Sequence, residues 1–344
     1  MNTFETVCST LRKTPYRWLV TGAAGFIGSH LVENLLELGQ EVVGLDDFST
    51  GHEYNLAHVQ SKVSESDWKQ FSFIEGSIED FDACLEACSK CDYVLHQAAL
   101  CSVPQSIEDP LKTQRLNDTG FLNVLIAARQ ANVRRLVYAS SSAVYGTNAT
   151  LPKKEELIGS PLSPYAASKR CNEINADTFY QAYGFESIGL RYFNVFGQRQ
   201  DPNGAYAAVI PRWIHALLDD EEVDIFGDGK TTRDFCHVSN VVQANILAAT
   251  STTPGSVNQV YNVATGHHIT LNELYQMLKI RVSSLKPSLN PASPVYLPSR
   301  SGDIVHSYAD ISKAKTLLGY IPSVSLSEGI TETLPWYSKH PSCV

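Results

Sequence analysis

The chain has 344 residues, of which 43% are hydrophobic and 18% are charged, a composition typical of a folded protein and incompatible with wholesale disorder. The formal net charge of −9 argues against a nucleic-acid-binding protein, because phosphate backbones are bound by a concentrated basic surface. No apolar run reaches the roughly 20 residues that span a bilayer. The first 16 residues lack the apolar segment of a secretory signal, so we expect a cytoplasmic protein with no membrane partner.

Short β-rich runs and helical stretches alternate along the first half of the chain. A helix is expected within the first 16 residues, and the first strand follows at Arg17–Thr21. Further strands are predicted at Glu41–Asp46, Phe71–Glu75, Tyr93–Gln97, Leu136–Ser140 and Ser187–Arg191, with helices that include Gly28–Leu38, Gly120–Gln130 and Tyr165–Tyr183. This alternation predicts an α/β fold with a doubly wound parallel sheet that is covered by helices on both faces.

The composition changes at about Asn194, after which segments rich in Pro, Gly and Asn alternate with short helical runs. We therefore expect a larger domain with an N-terminal extension at residues 1–193 and a smaller α/β lobe at residues 194–344. The apolar helix predicted at Ser239–Thr250 lies in a segment, about residues 235–262, that is expected to pack back on the first domain. The smaller lobe is the expected place for the residues that select a substrate.

Eight cysteines are present, and three of them form the cluster Cys84-x3-Cys88-x2-Cys91. No second Cys or His pair follows at the spacing of a zinc site, and the cluster falls on a helix that leads into a strand. We therefore expect these residues to be thiols in or near the core of a protein from a reducing compartment, and we expect no metal ion.

The first strand is followed by three glycines, Gly22, Gly25 and Gly28, and a helix begins among them. The first glycine permits a tight turn, the second lets backbone N–H groups approach a pyrophosphate, and the third allows close packing of helix and strand. The helix N-terminus, with Phe26 and Ile27, adds partial positive charge. This spacing between a strand and a helix indicates a dinucleotide site.

The second strand ends in Asp46 and Asp47, about 20 residues after the glycines. A carboxylate at that place accepts hydrogen bonds from a ribose diol and repels a 2′-phosphate, so NAD is favoured over NADP as the cofactor. The alternative is an ordinary α/β turn with solvated acidic side chains, which the preceding glycines make the weaker interpretation.

Three separated segments carry the groups of a proton-transfer site. The strand Leu136–Ser140 runs into Ser141 and Ser142. Roughly 20 residues later, Tyr165 and Lys169 open a helix, four residues apart. That spacing places the tyrosine and the lysine on one helical face, so the ammonium group can stabilise a phenolate and lower the tyrosine pKa. A serine hydroxyl beside them can hold a substrate hydroxyl for proton transfer.

Together these segments resemble the extended short-chain dehydrogenase/reductase family, and especially its nucleotide-sugar epimerases, over the chain from Trp18 to about Tyr337. The resemblance implies a Rossmann-type fold, bound NAD and a catalytic serine at Ser141, with Ser142 as a neighbour that could share its role. It also implies that the cofactor is bound by the glycine turn, the two aspartates, the tyrosine–lysine pair and the residues Ser77, Ile78, Gln97, Ala98, Ala99, Asn117 and Tyr192.

The residues beside Ser141 narrow the reaction that the resemblance implies. Similar dehydratases carry an Asp-Glu pair after the catalytic residue, and similar decarboxylases carry a Glu, whereas this chain has Ser142 and Ala143. We therefore expect a 4-epimerase that inverts C4 of a UDP-sugar by transient oxidation with bound NAD. A dehydratase, a decarboxylase and a non-catalytic NAD-binding protein are the alternatives.

Asp201–Pro211 is similar to the UDP-binding segment of UDP-hexosamine 4-epimerases, and Arg233 and Arg300 lie in matching arginine motifs. At the position of Ser307, similar epimerases carry a gatekeeper: a Tyr restricts the pocket to plain hexoses, and a small residue admits a 2-acetamido group. The expected activity is conversion of UDP-GlcNAc to UDP-GalNAc for surface polysaccharide, with the corresponding uronic acids and UDP-Glc as alternatives. The expected substrate contacts are Ser102, Ser141, Ser142, Tyr165, Asn194, Ala208, Val209, Arg233, Arg300, Asp303 and Ser307.

Three positions depart from the similar epimerases. Cys101 and Gln105 stand where a glycine and a basic residue are usual, and Ser77 replaces an aspartate. The resemblance also implies a homodimer that forms through a four-helix bundle including Gly120–Gln130 and Tyr165–Tyr183, although both helices could equally belong to the core of one chain.

Overall fold

The computed structural model describes residues 3–203, 208–289, 292–299 and 305–339. Its strands are β1 (Arg17–Thr21), β2 (Glu41–Asp46), β3 (Phe71–Glu75), β4 (Tyr93–His96), β5 (Arg135–Ser141), β6 (Ser187–Tyr192), β7 (Val195–Phe196), β8 (Asp224–Phe226), β9 (Thr232–Arg233), β10 (Cys236–His237), β11 (Gln259–Val263), β12 (Ile269–Thr270), β13 (Val295–Leu297) and β14 (His306–Ser307). Its α-helices are α1 (Thr3–Leu11), α2 (Phe26–Glu37), α3 (Glu53–Lys62), α4 (Glu65–Trp68), α5 (Phe81–Cys88), α6 (Val103–Glu108), α7 (Pro110–Gln114), α8 (Gly120–Gln130), α9 (Pro164–Tyr183), α10 (Val209–Leu218), α11 (Val238–Thr250), α12 (Leu271–Leu285), α13 (Ser312–Leu318) and α14 (Leu326–Lys339).

Seven strands form one parallel sheet in the order β11-β6-β5-β4-β1-β2-β3. The chain moves outward in one direction from β1 to β3 and in the other direction from β4 to β11. Such a reversal opens a crevice at the carboxyl ends of the strands, where ligands bind in doubly wound sheets. The predicted fold class, a Rossmann-type doubly wound parallel sheet, is confirmed.

Helices cover both faces of this sheet, which explains why its strands are apolar without alternation. On β1, Trp18 and Val20 belong to the core beneath α2 and α11, whereas Leu19 belongs to the core beneath α5 and α8. All three side chains are fully buried. The sheet is therefore a rigid platform from which the strand ends project.

The smaller elements of the second half lie at the carboxyl edge of the sheet. β10 pairs with β7, β13 pairs with β8, and β9 lies between β12 and β14. Helices α10, α12 and α14 pack around a third core that includes Trp213, Tyr275 and Leu334. This region has the predicted character of a smaller α/β lobe, while the division at residue 193 stays a prediction.

One part of the second half belongs to the large sheet. β11 pairs in parallel with β6, and α11 is buried along almost its whole length in the core beneath α2. Helix α11 thus lies against the sheet and carries side chains to the ends of the central strands. Among the helices of the described ranges, none is long and apolar enough to cross a membrane.

Candidate active site

The turn after β1 is built for close backbone approach. Gly22 has φ +69°, a conformation that favours glycine. A Cβ on Gly28 would lie 1.9 Å from the Gly22 carbonyl oxygen, so a side chain there is excluded. Helix α2 begins at Phe26, and the first N–H groups of a helix, which include those of Phe26 and Ile27, have no acceptor within it. This end of α2 can therefore bind a diphosphate.

Beside this turn lies a cleft at the carboxyl ends of the strands. Six residues of the sequence-based set line it: Gly22, Asp46, Asp47, Ile78, Ala98 and Ala99. Lys112 and Leu116 also line the cleft, and no motif in the sequence pointed to them. The glycine turn, the open helix end and the paired carboxylates fit an NAD molecule.

The two carboxylates of the cleft differ in their bonding. Asp46 accepts hydrogen bonds from the backbone N–H groups of Ala24 and Phe48, at 2.9 and 2.8 Å, while burial raises its pKa. Burial also opposes ionisation of Asp47, but hydrogen bonds from Ser49 and Ser77 outweigh it and lower the pKa of Asp47. Ser77, the departure noted in the sequence, therefore supports Asp47; its neighbour Ile78 lines the cleft.

Gln97 and Tyr192 bond to each other in a closed ring with Asn245 of helix α11. Gln97 donates to Asn245 at 3.1 Å, Asn245 donates to the Tyr192 hydroxyl at 2.8 Å, and Tyr192 donates to Gln97 at 3.0 Å. These two predicted cofactor residues thus use their polar atoms inside the protein and form part of the floor of the site. The role of Asn245 is invisible in the sequence, because it arises from the return of α11 to the sheet.

Asn117 lies in a π-helical turn, Arg115–Thr119, between α7 and α8. Its Oδ1 accepts from the Leu100 N–H at 2.8 Å, and its Nδ2 donates to Ser168 Oγ at 3.0 Å. Such irregular turns are frequent at functional sites. Asn117 therefore connects the segment after β4 to the helix that carries the catalytic pair.

The predicted catalytic groups converge where β5 meets α9. Ser141 ends β5, Tyr165 lies in the first turn of α9, and Lys169 lies one turn later. Lys169 Nζ donates to the Ala139 carbonyl oxygen at 3.0 Å and lies 5.9 Å from the centroid of the Tyr165 ring. The Ser141 side chain lies beside Tyr165, and its hydroxyl accepts from the Ala143 N–H at 3.1 Å. A substrate hydroxyl can therefore meet the serine and the tyrosine together.

Burial governs the electrostatics of this pair. It raises the pKa of Tyr165, so the expectation that the pKa of this tyrosine is lowered is wrong for the protein alone. Cys101 reinforces the rise and the Ser141 hydroxyl opposes it. Burial lowers the pKa of Lys169 to about 8, against the opposing influence of Cys101 and Asp118. The lysine is still mostly a cation at neutral pH, so it can stabilise negative charge that develops on the tyrosine oxygen.

Ser142 and Ser102 occupy the margins of this centre. Ser142 begins a 3-10 turn, Ser142–Tyr145, directly after the strand. Ser102 caps helix α6, its hydroxyl accepting from the Gln105 N–H at 3.2 Å. Cys101 is exposed beside the catalytic pair, which places one of the sequence departures at the centre of the site.

A second cavity, of about 280 Å³, lies in the smaller lobe. It is lined by four predicted residues, Asn194, Ala208, Val209 and Arg233. Ile210, in the segment Asp201–Pro211 that is similar to a UDP-binding segment, lines it as well. The remaining lining residues were not among the expected substrate contacts: Val195, Phe196, Arg212, Trp213, Asp224, Phe226, Thr231, Phe235 and Leu271. Several are aromatic, and a pocket with aromatic walls and arginines suits a nucleotide base and its diphosphate.

Ser307 lies on β14 directly opposite Arg233 of β9 and is 8% exposed. It is therefore adjacent to a pocket residue, although it does not line the cavity itself. Asn194 donates from Nδ2 to the Asp234 carbonyl oxygen at 2.9 Å, which fixes the strand that enters the lobe. Arg300 and Asp303 lie outside the described residues, as does part of the segment Asp201–Pro211.

The cysteine cluster is a packing feature. Cys84, Cys88 and Cys91 are buried free thiols within the core beneath α5 and α8. Burial raises the pKa of Cys84 to about 12 and the pKa of Cys91 to about 11. In the part of the chain that the structure describes, no three His, Cys, Asp or Glu side chains form a metal-binding group.

Comparison with known proteins identifies the class of this site. The NAD dependent epimerase/dehydratase family model matches residues 18–264. A UDP-glucose 4-epimerase of Mycolicibacterium smegmatis is 38% identical over 323 residues, which are 93% of this chain and 98% of that protein.

Two solved structures are similar over nearly the whole chain. A UDP-glucose 4-epimerase from Thermotoga maritima with UDP-glucose has a TM-score of 0.85 and 36% identity, and covers 95% of this chain and 100% of its own. A UDP-N-acetylglucosamine 4-epimerase from Methanobrevibacter ruminantium, in complex with UDP-N-acetylmuramic acid, has a TM-score of 0.85 and 37% identity, and covers 95% and 99%.

Proposed function

Because the chain belongs to the NAD dependent epimerase/dehydratase family, we infer that it is an NAD-dependent UDP-sugar 4-epimerase, an isomerase, and we propose that it converts UDP-GlcNAc to UDP-GalNAc. The observation that carries the proposal is the convergence of Ser141, Tyr165 and Lys169 beside the cofactor cleft, with a nucleotide-sized cavity in the adjoining lobe.

The chain's own groups handle the proton of the reaction. NAD, when bound, supplies the acceptor and donor of the hydride at the sugar C4. Tyr165 takes the proton of the 4-hydroxyl as a phenolate, which the Lys169 ammonium stabilises. It is a neutral phenol while the sugar is in the 4-keto form, and it returns the proton when the hydride is added back. Ser141 orients the hydroxyl by hydrogen bonding. Inversion requires the sugar to turn within the site, so most of the binding affinity must come from contacts with the nucleotide. The cavity of the second lobe is the proposed place for those contacts.

The residues after Ser141 disfavour water elimination. Ser142 and Ala143 form the 3-10 turn beside the catalytic serine, and neither can act as a carboxylic acid or a carboxylate base. A solved dTDP-glucose 4,6-dehydratase from Streptomyces venezuelae is also similar, at 29% identity, so the overall fold alone does not separate the two reactions. The proposal of epimerisation over dehydration therefore rests on these two residues.

The choice of an N-acetylated sugar rests on the size of Ser307. Its side chain is the smallest that carries a hydroxyl, and it lies opposite Arg233 at the edge of the pocket. A tyrosine there would fill space that a 2-acetamido group needs. Gln105, exposed on α6, supplies no positive charge for a C6 carboxylate, which favours the neutral sugar over the uronic acid.

We also propose that the enzyme acts in the cytoplasm, in surface-polysaccharide synthesis, and as a homodimer. Helix α9 presents Ile174 and Tyr183 to solvent, 51% and 56% exposed, while its opposite face is buried against the sheet. Partly exposed Leu122 and Ile126 lie on α8. A second copy could cover these apolar side chains, and light scattering with Ile174→Glu as the disrupting variant tests that arrangement.

The decisive test is a panel of UDP-GlcNAc, UDP-GlcNAcA and UDP-Glc, incubated with the purified protein without added cofactor. The expected result is UDP-GalNAc from the first sugar, identified by proton NMR, with slower inversion of the other two. A 4-keto-6-deoxy product would show that the protein is a dehydratase, and a pentose product would show that it is a decarboxylase.

The variant Ser307→Tyr sharpens the substrate assignment. We expect it to reduce kcat/KM for UDP-GlcNAc by roughly 10²-fold, since the ring displaces the acetamido group, and to leave UDP-Glc within a few-fold of the wild-type value. Ser307→Ala is the matched control and should retain UDP-GlcNAc turnover. Equal losses on both sugars would show that the residue does not choose the substrate.

A further inference from the structure

Consecutive residues at the end of β5 bond to consecutive turns of the catalytic helix α9. The Ala139 carbonyl oxygen accepts from Lys169 at 3.0 Å, and Ser140 Oγ donates to Glu173 Oε1 at 2.7 Å. The next residue of the strand is the catalytic serine, which lies beside the tyrosine one turn before the lysine. Of these three contacts, the one between Ser140 and Glu173 involves no group that meets the substrate.

The carboxylate of Glu173 is 2% exposed and accepts four hydrogen bonds. Oε1 accepts from Ser140 Oγ and from Arg191 Nε at 2.8 Å, while Oε2 accepts from Arg191 Nη2 and Arg170 Nη1, both at 2.9 Å. Burial opposes ionisation, but the bonds from Arg191 outweigh it and lower the pKa of Glu173. The Glu173 carboxylate is therefore charged, and both of its oxygens accept hydrogen bonds from other side chains.

Arg191 links Glu173 to the neighbouring strand and to the turn that follows the catalytic serine. It lies directly opposite Ser140 on the neighbouring strand β6, and its side chain is 1% exposed. Its Nη1 donates to the Glu155 carbonyl oxygen at 2.9 Å, and its guanidinium lies 4.9 Å from the centroid of the Tyr145 ring. Tyr145 ends the 3-10 turn that follows the catalytic serine. One buried arginine thus joins the helix, the strand end and the turn.

We infer that Glu173 and Arg191 are positioning residues for the reaction, because their buried ion pair fixes the register of α9 against β5 so that serine, tyrosine and lysine meet. The inference rests on the proposed epimerase activity, since its effect is measured on inversion at C4. Reaction geometry is demanding: a misplacement of about 1 Å can cost roughly 10²-fold in rate. Four directional bonds from one carboxylate resist such a shift along the helix axis.

The alternative is that the pair only stabilises the fold. Buried ion pairs are poor sources of stability, because apolar side chains of similar volume often replace them without loss. Apolar side chains cannot, however, reproduce directional bonds to Ser140 and to the neighbouring strand. A double substitution by apolar residues therefore separates positioning from stability.

The central variant is Glu173→Met combined with Arg191→Met, which leaves no unpaired buried charge between the two positions. We expect its melting temperature and bound NAD to stay close to wild type and its KM to stay within about threefold, while kcat falls roughly 10²-fold. Glu173→Gln alone is less informative, because it strands the Arg191 charge and can unfold the protein. Ser140→Ala removes a single bond and should lower kcat by roughly tenfold.

A second readout distinguishes misalignment from a general loss of active protein. Poor alignment slows the return of hydride, so more oxidised sugar should escape per turnover. Borodeuteride reduction followed by mass spectrometry measures this released 4-keto sugar, and we expect the double variant to release several times more than wild type per epimerisation event.

The matched control is the Arg135–Glu186 ion pair at the opposite end of β5, where the two side chains meet at 2.7 Å. Glu186→Gln should leave both kcat and 4-keto release unchanged. The inference is overturned if the folded double variant has wild-type kcat, or if the double variant is unfolded and Ser140→Ala has wild-type kcat. Failure of the proposed function is a different result, in which wild-type protein inverts none of the UDP-sugars in the panel.

Discussion

The cofactor side of the site and the nucleotide pocket are assembled by different means. On the cofactor side, the glycine turn, the end of β5 and the first turns of α9 each place functional groups through local backbone geometry. The pocket wall instead combines residues from α10, α12 and three short strands, β7, β8 and β9. The positions of the catalytic and cofactor-binding groups are thus set by short segments of local structure, whereas substrate binding depends on how segments that are distant in the sequence pack together.

The two regions also differ in polarity. Polar groups near the catalytic centre bond to one another in closed sets, such as the ring of Gln97, Tyr192 and Asn245. The pocket wall contains Phe196, Trp213, Phe226 and Phe235, with charged groups at a few points. A change on the cofactor side should therefore alter kcat, and a change in the pocket should alter KM. Substitutions in each region test that division.

The largest effect is expected for Tyr165→Phe. Removing the hydroxyl removes the proton acceptor, so kcat should fall roughly 10³-fold while KM stays within about threefold. Product NMR under saturating UDP-GlcNAc measures the rate. Tyr180→Phe is the control, because that tyrosine lies on the same helix and is 40% exposed. Wild-type turnover by the Tyr165 variant would eliminate the mechanism.

A smaller effect, in the other parameter, is expected for Phe226→Leu. Replacing the ring on the pocket wall weakens contact with the nucleotide, so KM should rise roughly tenfold with kcat unchanged. Calorimetry with UDP alone should show the same loss of affinity, which assigns it to the nucleotide and not to the sugar. A fall in kcat at constant KM would mean that the two regions are not separable.

The same contrast explains what the sequence could predict. Strands Arg17–Thr21, Glu41–Asp46 and Phe71–Glu75 have the predicted bounds. The first two are buried parallel strands and therefore nearly continuous apolar runs, whereas the third lies at the edge of the sheet and alternates in exposure. The helix after the first strand begins at Phe26, two residues before the predicted Gly28, since the helix starts within the glycine turn itself. The glycine turn and the tyrosine–lysine pair could also be identified from the sequence, because each combines a local backbone geometry with a required residue type.

The roles of residues that act through long-range packing could not be predicted from the sequence. The return of α11 to the first domain was expected, but not the pairing of β11 with β6 or the hydrogen bond of Asn245 to Tyr192. Phe226 precedes a turn in the second lobe and carries no motif that marks it as a pocket wall. Such roles depend on tertiary contacts that a single sequence does not encode in any spacing.

The final prediction concerns pH and separates the two regions without a mutation. Burial lowers the pKa of Lys169 to about 8, and a lysine is charged below its pKa. The reaction needs Tyr165 as a phenolate and Lys169 as an ammonium, and burial raises the pKa of Tyr165. As the pH rises toward 8, kcat should therefore increase, approaching about a tenfold gain per pH unit. Above pH 8 the loss of the ammonium should offset the gain in phenolate, so kcat should level off. Arginine remains protonated over this range, so the contribution of Arg233 to nucleotide binding should persist and KM should change little.

Steady-state rates between pH 6 and pH 10, a range of about two units on each side of that pKa, measure both parameters. The Phe226→Leu enzyme should show the same rise and plateau of kcat on top of its raised KM, because its substitution leaves Lys169 and Ala139 in contact. A continued rise of kcat up to about pH 9.5 would mean that the ammonium is not needed for proton transfer. A change of KM with pH in place of the change in kcat would place the titrating group in the pocket, and the division between catalytic and binding regions would then have to be redrawn.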